Sequence, residues 1–244
     1  MYKFKENILN SFGLTNFQLK LLALIFMLCD HIAIKFLDKN TLYYLMRTIG
    51  RLSFPIFAFL LAEGFLKTKN RKKHAILLGV FALISEPIYD LFNKGGLDFT
   101  KFNVLFTFLS GYILLWLIEL IEIDCKFFKS YMLKYAAKVA VFLVIAFITM
   151  QLNFEYNIAG ILMILLFYNF HLEKSEKVKD LVNAGTVIGV NTLLFSRSIQ
   201  WFGALSAVFI YLYNGKPGST KKYKYLFYIF YPMHLLVLWG ISKI

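Results

Sequence analysis

The sequence is poor in the residues that staple or solvate a small domain. It holds two cysteines in 244 residues, Cys29 in an apolar run and Cys125 in a polar stretch. No disulfide framework is expected, and no spacing suits a metal ion. Charged residues make up only 17%, against about 25% in an ordinary soluble domain. Internal repeats and low-complexity segments are missing. No cleavage site precedes the first apolar run, so no cleavable signal peptide is expected.

What fills the space is apolar. Hydrophobic residues reach 59%, phenylalanine alone occurs 27 times, and mean hydropathy is +0.63. A soluble domain averages about 45–50% apolar residues. One compact core of this size cannot hide the excess, so the surplus must face lipid. Soluble, disordered and disulfide-rich secreted classes are thereby excluded. Nine segments have the composition of membrane spans: 17–37, 42–66, 74–92, 103–121, 135–152, 156–171, 178–195, 199–213 and 223–241. A span needs about 20 apolar residues, and the sixth and eighth are short. The expectation is an all-α, polytopic transmembrane helical bundle forming a single domain over 1–244.

The net charge is +13, but its distribution does not suit nucleic acid. The cations cluster in 67–73, 126–134, 174–179 and 216–224, between alternate apolar runs. The other connections carry only Lys39, Lys94, Lys101 and Arg197, with Lys243 in the tail. The positive-inside rule then predicts N-inside and C-outside in a bacterial cytoplasmic membrane, with the lipid bilayer as the basic loops' partner. Residues 4–14 suit a short surface helix. Gly185 and Gly189 make a small-xxx-small pair that suits close helix packing.

Against this background several ionisable residues are out of place. Asp30 and His31 fall in the first span, Arg47, Arg51 and Glu63 in the second, Glu86 and Asp90 in the third, and His234 in the last. An ionisable group at the bilayer centre costs about 2.5–3.5 kcal/mol, so six unpaired ones would cost roughly 15–20 kcal/mol. They must pair or face a wet cavity. Arg47 and Arg51 share a helix face at i,i+4, and so do Glu86 and Asp90. Arg47 with Asp90, or Arg51 with Glu86, are the expected pairs. A buried imidazole beside carboxylates suits a general base. Asp30 points about 100° away from His31 around the helix, so adjacency alone does not make it the group that orients the ring. Asn103 and Thr107 suit interhelical hydrogen bonding or ligand contact equally. The run Lys67 to His74 suits either a topology signal or a phosphate site.

These residues resemble the TraX family. The similar stretches are Leu21 to His31, Arg47 to Phe65, Thr68 to Lys73, Leu83 to Pro87, Asp90, Asn103 to Thr107, and Phe230 to Leu235. The resemblance covers about residues 15–240, and the segment 122–180 is generic. The family's name-giving member acetylates the N-terminus of a conjugative pilin, and the family is similar to membrane acyltransferases that modify surface sugars. The resemblance therefore implies transfer of an acetyl group from cytoplasmic acetyl-CoA to an amine or hydroxyl near the outer face, on a pilin-like protein or a surface glycan. It implies His31 as the intramembrane base.

On that reading Lys69, Arg71, Lys72 and Lys73 would receive the nucleotide end of acetyl-CoA, with Arg47, Asn103 and His234 further along its path. Glu86 or Asp90 would steer the imidazole, and Arg51 or Asn103 would stabilise the oxyanion. Asp30 completes the expected catalytic set, which contains no metal. A rival reading is a proton- or ion-coupled transporter, because buried carboxylates and histidines also make proton relays. The missing inverted repeat weighs against it.

Overall fold

The computed structural model describes residues 13–123, 130–171, 176–195, 198–221, 223 and 225–244. Residues 4–12 of the expected surface helix and Cys125 lie outside them. Among the described residues the regular elements are helical, and β structure is confined to two isolated bridges.

Helix α1 (Asn16–Phe36) starts at a capping box in which Thr15 and Gln18 each satisfy the other's backbone N–H. Helix α2 (Thr41–Gly50) is capped by Asn40. Helix α3 (Ser53–Lys67) follows after a break at Arg51 and Leu52. The break has a local cause. Pro55 has no N–H to give the Arg51 carbonyl, and that carbonyl instead faces the Gln200 amide at 3.5 Å. The single expected span 42–66 is therefore two helices. Helix α4 (Arg71–Lys94) begins at an Asn70 cap and ends at Gly95, whose φ of 76° is the left-handed stop that glycine adopts freely.

Helices α5 (Val104–Ile123), α6 (Tyr131–Gln151), α7 (Asn157–His171) and α8 (Glu176–Phe195) follow. A 3₁₀ turn (Ile199–Leu205) leads into α9 (Ser206–Tyr211), and α10 (Leu226–Ile241) closes the chain. Among the described residues five helical segments are long and apolar enough to cross a membrane: α1, α2 with α3, α4, α5 and α6. The apolar stretches 157–171, 199–211 and 226–241 are helical but shorter.

Helix α3 is the hub. It is buried along nearly its whole length and packs against α1, α5, α7 and α9. Helix α10 packs on α4 and α1, and α4 packs on α5. Helices α1, α3, α5, α4 and α10 thus close a ring. The far side of α6 is different, because Tyr131, Met132, Leu143 and Phe147 are all largely exposed. An apolar face this broad is compatible with a lipid surround.

Backbone bonds tie the two ends. At one end Asn16 N donates to the Lys216 carbonyl at 2.8 Å and Leu14 N to the Leu212 carbonyl at 2.8 Å. At the other, Phe102 N donates to the Asn153 carbonyl at 3.3 Å and Glu155 N to the Phe102 carbonyl at 3.1 Å. The close packing expected at Gly185 and Gly189 lies elsewhere. A Cβ at either would have open space, whereas one at Gly111 would sit 2.4 Å from Ile164 and one at Gly160 2.6 Å from Thr107. Both of these tight approaches are between α5 and α7.

Candidate functional site

Asp30 lies in the last third of α1 and is 5% exposed. One of its carboxylate oxygens, Oδ2, accepts from Arg47 Nη1 at 2.6 Å and from Arg51 Nη2. Both arginines therefore meet Asp30, not the expected partners Asp90 and Glu86. Their i,i+4 spacing puts both guanidinium groups on one face, and α2 packs against α1. Arg51 Nη1 also donates to Gln200 at 3.1 Å, while its Nε–H is buried without a partner.

Gly50 is the contact that admits the carboxylate. A Cβ there would sit 2.3 Å from Asp30 Cβ and 2.4 Å from Oδ1. Gly50→Ala is expected to lower stability by about 1–3 kcal/mol through overpacking, read as a fall in thermal midpoint. Gly185→Ala, in open space on a helix, is expected to be neutral or to gain up to about 1 kcal/mol.

His31, next in sequence, points elsewhere. Its Nδ1 lies 2.7 Å from Nε2 of His234, and the two rings meet edge to edge, with centroids 4.9 Å apart and planes 28° apart. His234 in turn lies 2.7 Å from the Phe230 carbonyl through Nδ1. Asp30, held by the two arginines, makes no bond to the imidazole. Neither Glu86 nor Asp90 makes the expected bond to it. Glu86 accepts from Asn103 N at 3.0 Å and from Asn103 Nδ2 at 2.6 Å. Asp90 accepts from the backbone N–H of Asp98 at 2.9 Å. These two carboxylates anchor the connection between α4 and α5. In that connection Lys94 and Thr100 hold the exposed Asp98 carboxyl down to about 2. Asn103 and Thr107 do bond between segments, Thr107 to the Glu155 carbonyl.

A cavity of about 630 Å³ runs inside the helix ring. Deep in it lie Asp30, His31, Arg51, Glu155 and Tyr156; toward the other end it is lined by Lys67, Lys69, Asn70 and Lys73. Asn103, His234, Arg47 and Lys72 do not line it. Arg71 faces away: its Nε and Nη2 form a two-pronged pair with Glu119 at 2.9 and 2.7 Å, and its guanidinium lies 4.2 Å from the Phe65 ring centroid. Of the four expected phosphate cations, Lys69 and Lys73 are the ones at the cavity. Asn70 Oδ1 caps α4 by accepting from Lys73 N at 2.9 Å, so the first turn of that helix opens beside the same mouth.

Sequence reasoning missed Glu155 and Tyr156 as lining residues. Glu63, singled out as an ionisable residue in an apolar run, is 3% exposed. It accepts from Asn16 at 3.0 Å, from Lys67 at 2.6 Å and from the Tyr213 hydroxyl, closing the basic end. Glu155 accepts from the Tyr89 hydroxyl at 3.1 Å. Tyr156 has φ 61° and stacks on Phe54 with centroids 3.7 Å apart. The flanking Asn153 and Asn157, also at positive φ, were the available signal. Asparagine tolerates the left-handed region, and such strain clusters at functional sites.

The sequence matches the family model described as TraX protein over residues 16–242. It is similar to the probable fimbrial assembly protein FimC, serogroup H1, of Dichelobacter nodosus. The identity is 29% over 241 residues, covering 91% of this chain and 93% of that protein. No solved structure matches the chain. The family match opens on the first residue of α1, takes in the whole helix ring and its cavity, and ends one residue past α10. The chain therefore belongs to the TraX family.

Proposed function

We propose that the chain is a nine-span, N-inside membrane acetyltransferase. It moves an acetyl group from cytoplasmic acetyl-CoA to an amine or hydroxyl near the outer membrane face. The observation that carries this reading is the single cavity joining a lysine-lined mouth to a histidine and an arginine held deep among helices. A donor with a phosphorylated nucleotide at one end and a thioester at the other fits such a channel. The volume is also within the usual range of small-molecule sites, about 300–1,000 Å³.

Each residue has a role that follows from its atoms. Lys69 and Lys73 neutralise phosphate at the mouth. Nε2 of His31 takes the proton of the acceptor amine or hydroxyl as that atom bonds to the acetyl carbon. The carbon–sulfur bond breaks, and the departing sulfur recovers the proton from His31 as a free thiol. Arg51 borders the cavity, and its guanidinium charge stabilises the oxyanion of the tetrahedral intermediate. Asp30 and Arg47 hold that guanidinium in place. The name of the FimC relative supports a pilin-class protein over a glycan as acceptor. The alternating basic loops support the proposed orientation in a bacterial cytoplasmic membrane.

Titration of purified, detergent-solubilised protein with acetyl-CoA tests the reading. Wild type is expected to bind in the micromolar range. Lys69→Ala with Lys73→Ala is expected to weaken binding about 10–100-fold, or about 1.4–2.7 kcal/mol. Lys72→Ala, away from the cavity, is expected to leave it unchanged. A folded wild type that does not bind acetyl-CoA overturns the proposal.

A further inference from the structure

We propose that His234 is a positioning residue that fixes which nitrogen of His31 faces the cavity. This deepens the acetyltransferase reading and rests on His31 as its base. The argument is one of donors and acceptors. A backbone carbonyl can only accept, so the 2.7 Å contact between His234 Nδ1 and the Phe230 oxygen puts the His234 proton on Nδ1. In the neutral ring Nε2 of His234 is then an acceptor. His31 Nδ1 lies 2.7 Å from it and must be the donor. The neutral His31 ring, with its proton on Nδ1, is left with a bare lone pair on Nε2. That nitrogen is the base, and His31 is the member of the pair that lines the cavity.

The surroundings hold both rings in this arrangement. His234 is buried and stacks on Phe230 with centroids 4.9 Å apart at 16°. The Phe92 ring meets His31 edge-on at 5.4 Å. The arrangement also persists when His31 is charged. A proton taken at Nε2 leaves Nδ1–H still donating to His234. The histidine-to-histidine-to-carbonyl chain does the orienting that a carboxylate does in other catalytic triads, without a further buried charge beside the Asp30 arginine cluster. It also accounts for why Asp30, Glu86 and Asp90 can all be engaged elsewhere.

The test is ring-nitrogen NMR on histidine-labelled protein. The chain has four histidines, so single substitutions assign each signal. In wild type at a pH where the rings are neutral, His31 is expected to carry its proton on Nδ1, the tautomer less favoured by a free histidine side chain. His234→Leu removes the acceptor, and His31 is expected to shift toward the Nε2-protonated form, with transfer falling about 10²–10⁴-fold. His234→Gln can accept through Oε1 from His31 and donate through Nε2 to Phe230, so it is expected to restore the Nδ1 tautomer and most of the rate. Wild-type His31 protonated on Nε2 overturns the proposal, and so does an Nδ1 tautomer that survives His234→Leu. The Nδ1 tautomer in a protein that transfers no acetyl group leaves the geometry standing and sinks the acetyltransferase reading alone.

Discussion

Asp30→Leu is expected to destabilise the fold by about 3–5 kcal/mol, the cost of leaving buried charge without its counter-ion. Exposed ion pairs are worth about 0.2–1 kcal/mol, so the size of the loss itself discriminates. The structure puts Asp30 at the high end for two reasons. Its side chain is 7% exposed, with those of Arg47 and Arg51 at 18% and 14%. One carboxylate also serves two guanidinium groups, so its removal strands two cations together. The measurement is the thermal or denaturant midpoint in detergent. A compensated variant sharpens it: Asp30→Leu with Arg47→Met and Arg51→Met removes the charges along with the partner. It is expected to recover most of the stability. A loss below about 1 kcal/mol in the single variant would mean that water reaches the cluster and that it behaves as a surface pair.

The same cluster marks where sequence legibility ends. That Arg47 and Arg51 share a face followed from i,i+4 spacing, and both do reach one carboxylate. Which carboxylate did not follow. Periodicity fixes the face of a helix but not which helix packs against that face. A deciding feature was the missing side chain at Gly50, which lets the Asp30 carboxylate in against α2. His31 was legible as a polar residue in an apolar run. Its partner His234 lies 203 positions away, and only the packing of α10 on α1 brings them together.

Arg71 shows the converse failure. It sits in a basic loop and reads as a phosphate ligand, yet Glu119 takes its guanidinium. A single sequence gives no sign that the end of α5 will stand beside the start of α4. The apolar segments themselves were legible because lipid-facing and core-facing residues are both apolar, which makes runs conspicuous. The same property hid the short elements: 199–213 reads as one run but folds as a 3₁₀ turn and a six-residue helix.

His31→Ala is expected to lower acetyl transfer about 10²–10⁴-fold, the contribution of a positioned general base. That range corresponds to about 2.7–5.4 kcal/mol of transition-state stabilisation. Acetyl-CoA affinity is expected to stay within about threefold of wild type, because the proton moves in the chemical step and the nucleotide end is held at the lysine mouth. The Lys69→Ala, Lys73→Ala variant should do the reverse, raising KM for acetyl-CoA with kcat nearly kept. A loss in kcat alone at one end and in KM alone at the other is the pattern of a donor lying along the cavity. A channel for protons or ions has no reason to divide its kinetics this way, since every polar residue along it would act on the same flux. Substitutions at both ends that leave acetyl transfer intact while altering proton uptake into liposomes would favour the carrier. Equal loss of kcat at both ends, with affinity unchanged, would mean that the lysines act in chemistry and that the donor enters elsewhere.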